Sequence, residues 1–145
     1  MRGRRDSQFR RIMVGFDGSS QAEKAVEVAL KLARTMDSHL LLFAVARPPE
    51  PATSVELDAM LDDAREHFDD QFKQIRERAR EFEVELETDI VVGHPVEQIV
   101  HRAEADRVNL IVLGRRGVSR FERIIIGSTS EKVLRYAHCP VLVVR

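Results

Sequence analysis

The sequence predicts an α/β fold: a single domain with an open five-stranded parallel sheet and helices on both faces, Rossmann-like, with expected strand order 3-2-1-4-5. Two observations support this prediction. Strand-like and helix-like segments alternate along the chain, and the strand-like segments are apolar almost without interruption, as in HLLLFAVA at His39–Ala46. Continuous apolar strands are typical of a parallel sheet covered on both faces, and alternation with helices indicates right-handed crossovers. A length of 145 residues suits one domain.

The first half of the chain predicts two strands and two helices. Arg11–Phe16 (RIMVGF) is short and apolar and ends at DGSS, which is typical of a strand followed by a turn and a helix cap. Apolar residues recur at helical spacing from Ala22 to Met36, and His39–Ala46 then forms the second strand before a group of prolines. Between residues 54 and 82 the apolar positions step by three or four among charged residues, which predicts one long amphipathic helix.

The second half continues the alternation. The segment 85–92 alternates and then becomes apolar, which predicts a third strand, and Gly93-His94-Pro95 breaks it and begins a helix. A fourth strand is predicted at 110–113, a helix at 128–137 and a last strand at Val141–Val144, which we expect at a sheet edge.

Composition narrows the function classes. The chain is 43% hydrophobic and 32% charged, and no stretch approaches the ~20 apolar residues needed to cross a bilayer, so we expect no membrane span. No secretion signal is evident and Cys139 is the single cysteine, expected as an apolar filler, so we expect a cytoplasmic protein.

Charge is unevenly spread along the chain. The first eleven residues hold five arginines and one aspartate, although the net charge of the whole chain is −1. We therefore expect residues 1–8 to be a flexible basic tail and residues 9–145 to form the domain. The body of the protein lacks a basic face with interleaved aromatic residues and has no tryptophan, so nucleic-acid binding is not expected.

Glycines cluster after the fourth predicted strand. Three of the seven glycines lie there, at Gly114, Gly117 and Gly127. In open parallel sheets a ligand binds beyond the carboxyl ends of the strands, where the strand order reverses, so this loop and DGSS would line one crevice if strands one and four are neighbours. Glycines let backbone amides approach a ligand, and a helix that begins at Ser128 attracts anions, which predicts a phosphate site. The alternative is a surface loop whose turns simply need glycine.

A family resemblance rests on this motif. The spacing Gly, two residues, Gly, nine residues, Gly-Ser resembles the nucleotide-binding signature of the ATP-binding branch of the universal stress protein family, and the similarity extends over nearly the whole chain from about Phe9. It includes the segments RIMVGFDGS, VVGHPVEQIV, VNLIVLGRRG and HCPVLVV. The sequence departs from the family at Gly15, where many members have proline, and at Asn109, where an aspartate commonly precedes the fourth strand.

The resemblance implies a ligand and its contacts. The ligand would be ATP, with or without Mg²⁺, and the family's nucleoside and phosphate positions fall on Gly15, Phe16, Asp17, Ala44, Gly114, Arg116, Gly117, Gly127, Ser128 and Thr129. Ala44 would lie against the base, and Asp17 would approach the nucleoside, although a helix-cap role near Ser19 is an alternative for Asp17. The family also pairs the last strand across a two-fold axis, which implies a homodimer through Val141–Val144.

The motifs favour a binding protein over an efficient enzyme. There is no P-loop lysine motif, HExxH pattern or nucleophile elbow, so no catalytic residue and no metal centre are predicted. The leading hypothesis is a nucleotide-dependent switch or stress-response module that an unknown protein partner reads. The alternatives are a slow ATP-hydrolysing or self-phosphorylating enzyme that uses the same crevice, and a structural dimer with an empty crevice.

Overall fold

The computed structural model describes residues 8–48, 51–115 and 128–145. These ranges contain strands β1 (Arg11–Phe16), β2 (His39–Ala46), β3 (Leu86–Val92), β4 (Leu110–Gly114) and β5 (Val141–Val144), and helices α1 (Ser20–Met36), α2 (Ser54–Glu81), α3 (Pro95–Ala105) and α4 (Ser128–Tyr136). The elements agree with the predicted ones to within a residue or two at their ends, where assignments commonly differ. No helix in these ranges is long and apolar enough to span a bilayer.

The strands form one sheet in the order β3-β2-β1-β4-β5, and every neighbouring pair is parallel. This confirms the predicted fold class and strand order. The strand β1 lies at the centre, with Gly15 opposite Phe43 of β2 and Val14 opposite Val112 of β4. The order therefore reverses between β1 and β4, which makes their carboxyl ends the switch point of the sheet.

The two faces of the sheet are covered by different helices. Alternate side chains of a strand point to opposite faces, so Ile12, Val14 and Phe16 pack with α1 and α2 while Met13 packs with α3 and α4. Both layers consist of almost fully buried apolar side chains. This two-sided burial explains why β1, β2 and β4 are apolar almost without alternation.

Polar residues fix the ends of the elements around this core. Thr53 and Glu56 form a capping box at the start of α2, in which each side chain accepts a hydrogen bond from the other residue's backbone amide. Before β4, the Asn109 Oδ1 accepts a hydrogen bond of 2.8 Å from the Arg11 backbone amide, and the Asn109 amide donates to the Arg11 carbonyl oxygen at 2.8 Å. Asn109 thus joins the starts of β1 and β4, at the end of the sheet away from the switch point.

Candidate functional site

A cleft of about 1130 Å³ opens at the carboxyl ends of β1 and β4. Its lining comes from the end of β1, the turn before α1, the end of β4, one side of α3 and the first turns of α4, with further contributions from β2 and Phe68 of α2. Ligands bind at this position in open parallel sheets, so the cleft is the candidate functional site of the described chain.

The cleft brings together most of the residues predicted for the site. Its lining includes Gly15, Phe16, Asp17, Gly114, Ser128 and Thr129, which come from three distant parts of the sequence. Three further predicted residues, Arg116, Gly117 and Gly127, lie outside the described residues.

Ala44 does not line the cleft. Its side chain is fully buried in the layer formed with α1 and α2, whereas the neighbouring Phe43 and Val45 line the cleft from the other face of β2. Because side chains alternate along a strand, a position one residue away belongs to the opposite face. The apolar wall that the sequence suggested at Ala44 is therefore supplied by Phe43 and Val45.

The turn between β1 and α1 is held by side chains at the cleft. Asp17 Oδ1 accepts a hydrogen bond of 3.0 Å from the Ser19 backbone amide, and Ser19 Oγ accepts one of 3.1 Å from the Ala22 amide. Ser19 is thus the N-cap of α1, and Asp17 stabilises the turn that presents this cap. Between them Gly18 has a φ of 83°, a left-handed conformation that favours glycine. Asp17 is also exposed and lines the cleft, so its helix-cap role in the turn leaves the carboxylate at the cleft surface.

Gly114 allows the end of β4 to pack directly against the start of α1. A Cβ atom at Gly114 would lie 2.4 Å from the Gln21 carbonyl oxygen and 2.9 Å from the Ala22 backbone nitrogen. Glycine is thus required at this position by packing, whatever the cleft binds. The first glycine of the sequence motif has a structural reason that the spacing alone did not reveal.

Gly15 forms part of the apolar wall of the cleft. A Cβ atom there would lie 2.6 Å from Leu113 Cδ2 and 3.6 Å from Ile99 Cδ1, so these two side chains fill the space that a larger residue would occupy. The wall beside β1 is consequently closed by Leu113 and Ile99, and the departure from the family's proline leaves no gap there.

The start of α4 faces the same cleft. The first backbone N–H groups of a helix have no partners within the helix, and the positive end of the helix dipole attracts anions. Ser128 and Thr129 line the cleft in this first turn, and the buried Ser130 Oγ donates a hydrogen bond of 3.4 Å to the Gly114 carbonyl oxygen. This bond ties α4 to the end of β4, so the helix start is positioned beside Gly114.

Charged side chains that the sequence reasoning did not assign to the site also line it. Arg47 follows β2, and Lys132 lies one turn into α4. Arginine and lysine side chains commonly bind phosphate oxygens. The glutamates Glu97 and Glu104 line the α3 side of the same cleft. Lys132 carries a sequence signal, since it lies four residues after Ser128, whereas Arg47 has no motif around it.

The described residues also bear on metal binding and on the reactivity of the single cysteine. Among the described residues, no group of three or more histidine, cysteine, aspartate or glutamate side chains is placed to hold a metal ion. Burial raises the pKa of the Cys139 thiol above its ordinary value, which keeps it protonated, and its side chain packs against the layer formed with α3 and α4. Cys139 therefore behaves as an apolar packing residue.

Comparisons with known proteins agree on one family. The family model described as "Universal stress protein family" matches residues 8–145. The universal stress protein YxiE of Bacillus subtilis is 32% identical over 149 residues, which cover 94% of this chain and 99% of that protein. The solved structure of universal stress protein UspA from Lactobacillus plantarum superposes with a TM-score of 0.83 at 27% identity, covering 94% of this chain and 98% of that one. A universal stress protein solved in complex with cAMP gives a TM-score of 0.76 at 25% identity, covering 96% and 99%.

Proposed function

This chain belongs to the universal stress protein family, and we propose that it binds ATP in the cleft between β1, β4 and α4 as a nucleotide-dependent regulatory module. The observation that carries the proposal is the convergence of Asp17, Gly114, Ser128 and Thr129 on one cleft at the switch point of the sheet. A related structure that contains cAMP supports an adenine nucleotide as the ligand class.

The phosphates of the nucleotide would lie at the start of α4. The helix start supplies backbone amides, and the hydroxyl groups of Ser128 and Thr129 add donors in the same turn. The Gly114, Gly117 and Gly127 spacing in the sequence supports a triphosphate, because the family signature that it matches belongs to the ATP-binding branch. Mg²⁺ would reach the protein through Asp17, since this ion is commonly held by one or two carboxylates together with phosphate oxygens and water.

The nucleoside would lie against the apolar wall next to β1 and β2. Phe43, Val45 and Leu113 line this part of the cleft, and Phe16 and Asp17 border it at the end of β1. Apolar and aromatic surfaces with a few placed polar groups are typical of sites for small organic ligands. The proposed orientation thus places the base at the β2 side and the phosphates at α4.

A regulatory role is favoured over efficient turnover. Phosphoryl transfer needs metal ligands, charge neutralisation and a positioned nucleophile or water. The described cleft has the Asp17 carboxylate at the end of β1 and no cluster of metal ligands, so we expect binding with negligible hydrolysis. The alternative is slow hydrolysis of ATP, or transfer of its terminal phosphoryl group to the hydroxyl of Ser128 or Thr129. A turnover assay with Mg²⁺ detects hydrolysis, and mass spectrometry of the chain detects the phosphorylated residue.

Binding is tested by removing one hydroxyl from the proposed phosphate site. We expect Thr129→Val to weaken ATP binding at least about tenfold, because a hydrogen bond to a charged group contributes about 1.5–3 kcal/mol. Thr35→Val is the matched control, since Thr35 is exposed on α1 and its hydroxyl donates to the Lys31 carbonyl oxygen away from the cleft. Isothermal titration should show a loss for Thr129→Val alone. Equal affinities in both variants would contradict the placement of the phosphates.

We further propose a homodimer formed through β5. This strand is at the edge of the described sheet. It exposes Leu142, and the preceding helix α4 exposes Leu134 and Tyr136. An exposed apolar edge strand is a surface that proteins usually cover. Sedimentation should show a dimer that Leu142→Lys converts to a monomer, and a wild-type monomer at micromolar concentration would contradict it.

A cytoplasmic location remains a prediction from the sequence, to be checked by cell fractionation.

A further inference from the structure

Arg102 lies behind the apolar wall of the cleft and joins α3 to β3. Its Nη1 donates a hydrogen bond of 2.5 Å to Asp89 Oδ2 on β3, and its Nε donates one of 2.7 Å to Asp106 Oδ2 just after α3. Its Nη2 lies 3.4 Å from Glu87 Oε1, also on β3. Each of the three guanidinium nitrogens of Arg102 therefore contacts a different carboxylate.

The same guanidinium lies against Phe43. The Arg102 Cζ is 5.4 Å from the centroid of the Phe43 ring, within the range of a cation–π contact. The Phe43 side chain is 1% exposed and lines the cleft, whereas Arg102 is not among the lining residues. Arg102 is thus one layer behind the surface that would contact a ligand.

Among the described residues, α3 packs on the sheet through a short apolar stripe that includes the partly buried Val96. Ile99 and Ala103 are the buried residues of α3, although residues of this helix from Pro95 to Glu104 line much of one side of the cleft. A wall with a small buried area depends more on each remaining contact. The bonds from Arg102 to Asp89 and Glu87 attach this helix to β3.

Burial and charge distinguish this cluster from an ordinary surface ion pair. Exposed pairs contribute roughly 0–1 kcal/mol, but the Arg102 side chain is 22% exposed and its planar group meets three acceptors and an aromatic ring. Burial alone would lower the pKa of Arg102, but the hydrogen bonds that its guanidinium donates to Asp106 and Asp89 raise this pKa above its ordinary value. Arg102 therefore remains charged in this position.

We propose that Arg102 is a positioning residue for the nucleoside half of the cleft, which fixes the Phe43 ring and the α3 wall without touching the ligand. This inference rests on the proposed nucleotide binding. It separates the cleft into two halves with different supports: the apolar half depends on Arg102, and the phosphate half depends on α4 and its bond from Ser130 to Gly114.

The test compares Arg102→Met with Arg78→Met. Arg78 is a suitable control because it is also a half-buried arginine between two carboxylates, with Nη2 3.3 Å from Glu23 Oε2 and Nη1 3.5 Å from Glu27 Oε2. It joins α2 to α1 on the face of the sheet opposite to α3, and it is not among the residues that line the cleft. Methionine retains much of the apolar stem and removes the charge. Thermal unfolding identifies folded variants, and Arg102→Lys carries the same test if Arg102→Met does not fold.

Calorimetric titrations with ATP, adenosine and inorganic tripolyphosphate give the decisive measurement. For Arg102→Met we expect ATP and adenosine to bind about tenfold more weakly, and tripolyphosphate to change by less than about twofold, while Arg78→Met changes none of them. Unchanged affinities for ATP and adenosine would overturn the inference, and so would an equal loss for all three ligands, which indicates a general loss of structure.

Hydrogen exchange in the ligand-free proteins separates this inference from the proposed function. We expect the amides of α3 to exchange faster in Arg102→Met than in the wild type, and those of α1 to remain unchanged. A wild type that binds no nucleotide would overturn the proposed function, and the exchange rates would still show whether Arg102 fixes the α3 wall. Unchanged exchange in α3 would overturn the inference even if ATP binds.

Discussion

Gly114→Ala tests the close approach of β4 and α1 on which the shape of the cleft depends. The added Cβ would lie 2.4 Å from the Gln21 carbonyl oxygen, 2.6 Å from the Gln21 carbonyl carbon and 2.9 Å from the Ala22 nitrogen. All three are backbone atoms of the first turn of α1, so rotation of a side chain cannot relieve the contact. The helix start or the end of β4 must move instead.

The magnitude follows from two opposing contributions. Overpacking of a well-packed interior costs about 1–3 kcal/mol, and contact with backbone favours the upper end. Alanine in a strand recovers about 0.5–1 kcal/mol relative to glycine, because it loses less conformational entropy on folding. We therefore expect Gly114→Ala to lower the free energy of unfolding by about 2 kcal/mol. With an m-value of about 2 kcal/mol/M, the urea midpoint falls by about 1 M.

Gly15→Ala is the matched control on the neighbouring strand. Its Cβ would also be tight, at 2.6 Å, but against Leu113 Cδ2, the end of a flexible side chain that can adopt another rotamer. The same entropy gain then offsets most of the cost, and we expect a loss below about 1 kcal/mol. Urea unfolding followed by circular dichroism gives both values. An equal effect of the two substitutions, or a stable Gly114→Ala protein, would refute the packing role of Gly114.

Three further outcomes follow from contacts near the cleft and in the core. Ser19→Ala should lower the free energy of unfolding by about 1 kcal/mol, because it removes the N-cap bond to the Ala22 amide; an unchanged urea midpoint would contradict this. Phe72→Ala should lower it by about 3–5 kcal/mol, since the ring is 3% exposed and lies 5.7 Å from that of Phe68; a loss below about 1 kcal/mol would show that the site collapses. Iodoacetamide at pH 8 should alkylate Cys139 at least about tenfold more slowly in the folded protein than in urea, because burial raises the thiol pKa, and similar rates would contradict this.

The sequence predicted the architecture well because burial leaves a local signal. Strands covered on both faces require apolar residues at consecutive positions, so HLLLFAVA predicted the buried strand β2 without knowledge of its neighbours. The turn and helix cap at Asp17 and Ser19 could be predicted for a similar reason, since turn and cap residues bond to backbone groups two or three positions away.

The details of the cleft depend on contacts between distant segments and were less accessible. A continuous apolar strand does not reveal which of two adjacent residues faces a given helix, and Ala44 was therefore assigned to a wall that Phe43 and Val45 form. The requirement for Gly114 comes from Gln21, which is far away in the sequence. The Arg102 cluster likewise forms only when β3 and α3 are packed together, so no short motif marks it.

A crystal structure of the protein grown with ATP tests the central claim most directly. We expect phosphate oxygens within about 2.7–3.2 Å of the backbone amides or hydroxyl groups at Ser128 and Thr129, and the base against Phe43 and Val45. A cleft without nucleotide at a saturating ATP concentration, or a nucleotide bound elsewhere on the molecule, would contradict it.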